Sequence, residues 1–116
     1  MKTIKLSAAA LAIGATAAVA GHAATYNLAE RQLAMAEERL IINTPIAGIK
    51  NDLWFDYRND IGEAKEELQT DLNDVTDIED ERDAYEEYAT ELRHERKVYV
   101  AKMAKKGYRT GSVKVG

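Results

Sequence analysis

The stretch LQTDLNDVTDIEDERDAY, residues 68–85, decides the fold because it joins two long helical patterns through a very short connection. The apolar residues of the earlier helical pattern recur every three or four positions, as on one face of a helix, and end at Leu72 and Val75. Thr76 or Asp77 can cap the following helix, since its side-chain oxygen accepts a hydrogen bond from a free backbone N–H. A connection of two or three residues forces the flanking helices to run antiparallel. The sequence therefore predicts a helical hairpin.

The apolar stripes set the lengths of the two hairpin helices, which we predict over residues 45–74 and 77–106. The earlier stripe contains Ile46, Ile49, Leu53, Tyr57, Ile61, Ala64, Leu68, Leu72 and Val75. The later stripe is sparser and contains Ile78, Tyr85, Leu92 and Tyr99, with Ala89 and Met103 beside it. Thr44 and Pro45 suit the start of the earlier helix, as N-cap and first helical residue. Gly107 suits a left-handed C-cap at the end of the later helix.

A shorter helix is predicted before the hairpin, over residues 25–42. Its main apolar stripe contains Tyr26, Ala29, Leu33, Ala36 and Leu40. A second apolar series, Leu28, Met35 and Ile42, recurs every seven residues on the opposite side. We expect this helix to lie along the base of the hairpin, away from its turn. The predicted fold is all-α, a three-helix bundle or coiled-coil-like hairpin, and residues 108–116 form an extended tail.

The N-terminal segment, residues 1–23, resembles the layout of a secretory signal peptide. Two lysines precede an uncharged, alanine-rich run over residues 6–19, and small residues suit cleavage after Ala20 or Ala23. A retained membrane anchor needs about 20 apolar residues, and this run is shorter. The alternative of a folded alanine-rich helix is less consistent with the lysines and cleavage sites. We expect export to the periplasm or medium, leaving residues 24–107 as a helical domain without cysteines.

Charge is separated along the exported chain. From Ala24 onward there are 14 basic and 20 acidic residues, a net charge of −6, which argues against nucleic-acid binding. Residues 96–109 are basic, and an alternative function is that of an envelope structural protein that docks weakly to the cell wall or anionic lipid by this C-terminal end. The other interpretation pairs these bases with the protein's own acids. A turn near residues 75–76 would place Asp56 opposite Arg96 and Asp60 near Arg93.

The only motif with metal-site spacing is Glu91-Leu92-Arg93-His94. Glu and His separated by three residues occur in di-iron helical bundles, and Asp60 on the opposing helix would be a third ligand. The helical phase opposes this interpretation, because a buried Leu92 turns His94 away from the core. No cysteine is present, and one histidine in the mature chain gives no nucleophile–base pair. We therefore expect no enzyme and no cofactor, with metal binding by Glu91, His94 and Asp60 as an alternative.

The adjacent aromatic residues Trp54 and Phe55 point to a contact surface. On the predicted helix Trp54 lies at the edge of the apolar stripe, whereas Phe55 lies almost opposite the core. Asn51 and Asn59 share the Phe55 side, and the second series of Leu28, Met35 and Ile42 gives the first helix a surplus face as well. Either the first helix covers Phe55, or a second copy or another envelope protein does. We expect an exported, chaperone-like interaction protein that forms homo-oligomers or binds an envelope partner.

Overall fold

Three α-helices and one short 3-10 turn make up residues 28–109, the part of the chain that the computed structural model describes. The helices are α1 (Ala29–Glu38), α2 (Asp52–Asn73) and α3 (Ile78–Lys105), and the 3-10 turn spans Ile46–Gly48. The predicted all-α fold, with a long antiparallel hairpin and a shorter helix before it, is confirmed. The predicted signal peptide and all but the first two residues of the predicted tail lie outside the described residues.

The ends of α3 lie within one residue of the prediction. Asp77 caps its start by accepting a hydrogen bond from the Asp80 N–H at 2.8 Å. Gly107 follows its end with φ of 98°, in the left-handed region that glycine enters without steric cost. The Tyr108 N–H then reaches back to the Met103 carbonyl at 2.9 Å, which closes a Schellman motif. Cap chemistry therefore predicted this helix correctly at both ends.

The predicted start of the second helix at residue 45 is wrong, since α2 begins at Asp52. Pro45 is extended, and Ala47 and Gly48 have positive φ angles of 57° and 71°, so the chain cannot continue as a helix there. The true cap is Asn51, whose side chain accepts the Trp54 N–H at 3.0 Å. The side chain of Ile46, within this non-helical segment, is buried in the core.

Helix α3 lies at the centre of the bundle, and both α1 and α2 pack against it. Helix α1 runs in the same direction as α3, because Glu30 meets Arg82 whereas Glu37 meets Arg93 and Arg96. It therefore lies beside the half of α3 that is nearer the hairpin turn. The expectation that it would lie at the base of the hairpin is wrong. The connection between α1 and α2 reaches the base instead.

An aromatic cluster fastens that connection to the hairpin. Tyr57 and Tyr99 stack with ring centroids 4.8 Å apart, and the ring of Trp54 lies about 6 Å from both. The Tyr57 hydroxyl accepts the Ile42 N–H at 2.9 Å, and the Tyr99 hydroxyl accepts the Ile46 N–H at 3.0 Å. These two hydrogen bonds satisfy the backbone N–H groups of Ile42 and Ile46, which have no partners in a regular helix.

The buried core follows the predicted stripes of α2 and α3 only in part, since Ala84 and Tyr88 are buried without being predicted whereas Ile78 and Tyr85 are only half-buried. Its members are Ala34, Ile46, Trp54, Tyr57, Ile61, Ala64, Ala84, Tyr88, Ala89, Leu92, Tyr99 and Met103. Only one residue of α1, Ala34, belongs to this apolar set. The first helix must therefore be held by something other than apolar burial. Among residues 28–109, no helix is long and apolar enough to cross a membrane.

Candidate functional site

Helix α1 docks on α3 through its charged face. Glu37 is buried, with 7% of its surface exposed, and its two carboxylate oxygens accept hydrogen bonds from Arg96 at 2.7 Å and Arg93 at 3.3 Å. Burial alone would raise the pKa of Glu37, but the two guanidinium groups outweigh it and hold that pKa below its usual range. The predicted pairing of these arginines with Asp56 and Asp60 is therefore wrong, because both arginines turn towards α1.

Further polar contacts extend this interface in both directions along α1. Arg82 donates to Glu30 at 3.2 Å, near the start of the helix. The Tyr88 hydroxyl donates to Glu38 at 2.6 Å, near its end. Burial and this hydrogen bond to a carboxylate raise the pKa of Tyr88, so the phenol remains protonated across the physiological range. Charged and hydroxyl groups therefore hold α1 at three levels.

The apolar stripe predicted to bury α1 faces solvent instead. Leu33 is 44% exposed and Leu40, just beyond the helix, is 53% exposed, while Ala29 is also exposed and Ala36 is half-buried. This correction follows from the facing helix, whose Arg82, Arg93 and Arg96 favour a glutamate-bearing face. The result is an amphipathic helix that presents its apolar side outward.

The structure divides the predicted contact residues between internal and exposed positions. Trp54 is buried in the aromatic cluster, and Asn51 caps α2 while its amide lies 3.5 Å from the Met103 sulfur. Ile42 packs against the core, and Leu28 is half-buried. Phe55 is 53% exposed, Met35 is 39% exposed, and Asn59 is exposed. The first helix leaves Phe55 uncovered, so that alternative is wrong, while the role of these residues in partner contact stays a prediction.

A cleft flanks α2 on each side. The first, of about 350 Å³, is lined by Glu38, Ile41, Asn43, Arg58, Ile61, Gly62 and Lys65. The second, of about 390 Å³, is lined by Leu53, Asp56, Tyr57, Asn59, Asp60, Glu63, Glu95, Val98, Tyr99 and Lys102. Both basic residues of α2 border the first cleft, whereas three of its acids border the second. Helix α2 therefore has one basic edge and one acidic edge.

Three carboxyl groups meet beside the acidic edge. Glu95 on α3 is hydrogen-bonded to Asp60 on α2 and to Glu91 one turn away. Burial, together with these hydrogen bonds and the neighbouring negative charges, raises the pKa of Glu95 to about 7. A carboxyl with this pKa is partly protonated near neutral pH. Sequence reasoning selected Asp60 and Glu91 but missed Glu95, although it lies four residues after Glu91 on the same helix face.

The acidic side chains that lie closest together differ from the metal ligands that the sequence predicts. Within residues 28–109, the one set of acids whose ligand atoms lie within 4.8 Å of one another is Glu67, Asp71 and Glu87. Burial and the charges of Glu67 and Asp71 raise the pKa of Glu87. His94 is exposed, and neither it nor Glu91 belongs to this set. Oxygen ligands alone suit hard cations such as Ca²⁺ rather than a histidine-dependent iron centre.

The basic end of α3 remains exposed to solvent. Lys97, Lys102, Lys105 and Lys106 are all exposed, as is Arg109, while Arg96 is engaged with Glu37. Contact with anionic lipid or cell wall through residues 96–109 stays a prediction.

Comparison with known proteins gives no relative. No protein-family model, curated protein or solved structure matches the chain. The functional argument therefore rests on the geometry of the described residues.

Proposed function

We propose that this protein is an exported, non-enzymatic, chaperone-like interaction protein that binds protein partners through exposed apolar helix faces. The observation that carries the proposal is the outward orientation of Leu33 and Leu40. These leucines are about half exposed, whereas the apolar face of an ordinary surface helix packs inward. A partner that covers this face would complete its burial.

The exposed apolar side chains are large and belong to two elements. Leu33, Met35 and Leu40 come from α1 and the residues just after it, and Phe55 comes from α2. Such residues on monomeric proteins commonly belong to sites of protein contact when they form a patch. An apolar helix face is the kind of surface that a hydrophobic groove or an unfolded apolar segment can cover.

Site-specific photocrosslinking tests this proposal. A photoreactive amino acid at position 33, in protein expressed in a bacterial periplasm, should give discrete crosslinked products with envelope proteins. The matched control is position 101 on α3, an exposed alanine outside the proposed faces. Leu40→Ser should reduce the products formed from position 33 by weakening the same contact. Equal crosslinking from positions 33 and 101 would contradict the proposal.

A holdase assay tests the chaperone-like part separately. The purified protein should suppress light scattering by a thermally unfolding client, and Leu33→Ser/Leu40→Ser should lose this effect while circular dichroism shows an unchanged helix content. Replacement of Ala101 by Ser should leave suppression intact. Suppression that is insensitive to the leucine substitutions would assign the effect to another surface.

Export is part of the same proposal and has its own test. Residues 1–23 support it by their lysine start, apolar run and small residues at the cleavage sites. N-terminal sequencing of protein from the periplasmic fraction should find a chain that begins at residue 21 or 24. A chain recovered only from the cytoplasm and starting at Met1 would contradict export.

Divalent-cation binding is the second candidate function, and the grouping of Glu67, Asp71 and Glu87 favours it. Three carboxylates that repel one another gain stability when a cation neutralises them. Calorimetric titration with Ca²⁺ should show binding that Glu87→Gln abolishes and that Glu91→Gln or His94→Ala leaves in place. Absence of heat at millimolar Ca²⁺ would end this candidate.

A further inference from the structure

The outward face of α2 is neutral from Phe55 to Gly62 and contains one large apolar side chain there, and the exposed Glu66 follows one turn later. Phe55, Asn59 and Gly62 follow one another at steps of four and three residues, so they share one side of the helix. All three are exposed, and Phe55 is exposed by 53%. The face lies between the two clefts, since Gly62 borders the basic one and Asn59 borders the acidic one.

The three positions fit the contact seam of a coiled coil. When Phe55 is assigned to position d of a heptad, Asn59 falls at a and Gly62 at the next d. Arg58 and Lys65 then occupy g, and Asp56 and Glu63 occupy e. The two bases of α2 line one cleft, together with Glu38, and the acids of α2 line the other, together with Lys102. The two edges of the seam are therefore oppositely charged.

We propose that two copies of this chain form a symmetric dimer in which their α2 helices pair in parallel through Phe55, Asn59 and Gly62. The proposal rests on the function proposed above and names a second copy as the partner of the Phe55 face. In a parallel pair the g edge of one helix faces the e edge of the other, so Arg58 meets Glu63 of the second copy. The two-fold symmetry repeats this pair and closes the assembly.

The charges at positions e and g favour the parallel orientation, and Glu66 at the next position a limits the contact to residues 55–62. An antiparallel pair sets equal edges against each other, so bases would meet bases and acids would meet acids. Asn59 adds to this preference, because a single asparagine at position a fixes the register and the two-stranded state of parallel coiled coils. Its amide can hydrogen-bond to the amide of the second copy across the symmetry axis.

Gly62 has no role within its own chain that requires a glycine. A Cβ atom added there would meet no heavy atom within 4 Å, and glycine in a helix interior is less favourable than alanine. A glycine in the seam does allow the backbone of a second helix to approach closely. The contact over residues 55–62 is only about 10 Å long, so the dimer is weak, with an interface below the standard size.

A charge-exchange experiment on purified mature protein tests the dimer. Sedimentation analysis of the wild type should show a concentration-dependent dimer. Arg58→Glu and Glu63→Arg should each raise the dimer dissociation constant at least tenfold, and a 1:1 mixture of the two should recover a heterodimer of near wild-type affinity. Glu86→Arg, an exposed charge change on α3, is the matched control and should leave the dimer unchanged.

Disulfide trapping tests the orientation independently. The chain contains no cysteine, so single substitutions report their own contacts. Asn59→Cys and Glu66→Cys both lie at position a, and both should form disulfide-linked dimers under mild oxidation. In an antiparallel dimer, only a residue on the two-fold axis meets its own copy, so crosslinking at one position alone would overturn the parallel arrangement.

The outcomes separate this inference from the function on which it rests. A chain that stays monomeric at millimolar concentration, or a mixture that does not recover the dimer, overturns the α2 pairing. Partner crosslinking from position 33 on α1 would still support the proposed function in that case. Circular dichroism of each variant checks that it folds, which matters for Arg58 because its guanidinium lies 5.4 Å from the Trp54 ring centre. Glu63→Arg avoids that contact and carries the test if Arg58→Glu unfolds the chain.

Discussion

The carboxyl cluster around Glu95 predicts that the protein becomes less stable as the pH rises from 5 to 8. Its pKa is raised from 4.5 to about 7 in the folded state, whereas the unfolded chain keeps the ordinary value. Between these two values the folded state binds more protons than the unfolded state, so acidification favours folding. The contribution of Glu95 to the free energy of unfolding is greatest at and below about pH 4.5, and this contribution is lost as the pH rises through about 7.

The magnitude follows from the size of the difference in pKa. A change from 4.5 to about 7, at about 1.4 kcal/mol per pKa unit, sets a ceiling of about 3 kcal/mol for the loss. Glu95 is half-buried rather than fully buried, and solvent screening reduces the expected loss to about 1–2 kcal/mol. Glu87 contributes in the same direction, because its pKa is also raised.

Urea unfolding followed by circular dichroism at pH 5, 6, 7 and 8 provides the assay. We expect Glu95→Gln to increase the free energy of unfolding at pH 8 by about 1–2 kcal/mol and to flatten its dependence on pH, because the amide carries no charge to repel Asp60 and Glu91. Glu86→Gln, an exposed substitution on the same helix, is the control and should retain the wild-type slope. A free energy of unfolding that is constant or rises over this range, or a Glu95→Gln slope equal to that of the wild type, would refute the reasoning.

Three further substitutions test the packing. Glu37→Ala should lower the free energy of unfolding by about 2 kcal/mol, because it leaves Arg93 and Arg96 facing each other without their shared carboxylate. Amide hydrogen exchange should become faster in α1 alone, and an unchanged exchange rate there would contradict the prediction. Gly62→Ala should stabilise the monomer by about 0.5–1 kcal/mol at low concentration, and any destabilisation would show that the site is more crowded than described. Tyr99→Phe should cost about 1–2 kcal/mol and expose the Ile46 amide to exchange, whereas full protection of that amide would show another acceptor.

The sequence predicted α3 well because local chemistry sets both of its ends. The Asp77 cap and the left-handed Gly107 act within a few residues, and a single chain segment contains all the information they need. The start of α2 was not predictable in this way, since it depends on Ile46 entering a core built partly by Tyr99, 53 residues later. Thr44 and Pro45 form a good local start signal, and tertiary burial overrides it.

The candidate site also contains some features that local sequence predicts and others that depend on contacts between helices. The exposed position of Phe55 follows from helical phase alone, and the structure agrees with it. The raised pKa of Glu95 depends on Asp60 lying opposite it, whereas the sequence pattern predicts Asp60 near Arg93, two residues earlier on α3. The side of α1 that is buried was also beyond the sequence pattern, because it depends on the arginines of another helix.

The orientation of α1 results from a balance between apolar burial and charge pairing. Turning the leucine face inward would bury Leu33 and Leu40 fully, a gain of about 1 kcal/mol for each side chain because each is already about half covered. It would also separate Glu37 from Arg93 and Arg96, together with the Glu30–Arg82 pair and the Tyr88–Glu38 hydrogen bond. The loss of the Glu37 contacts alone costs about 2 kcal/mol because Arg93 and Arg96 are partly exposed, and the loss of the other two contacts adds to this, so the total matches or exceeds the apolar gain. The charged interface therefore selects the outward leucines, and the same substitution that weakens it, Glu37→Ala, should also alter how the leucine face is presented to a partner.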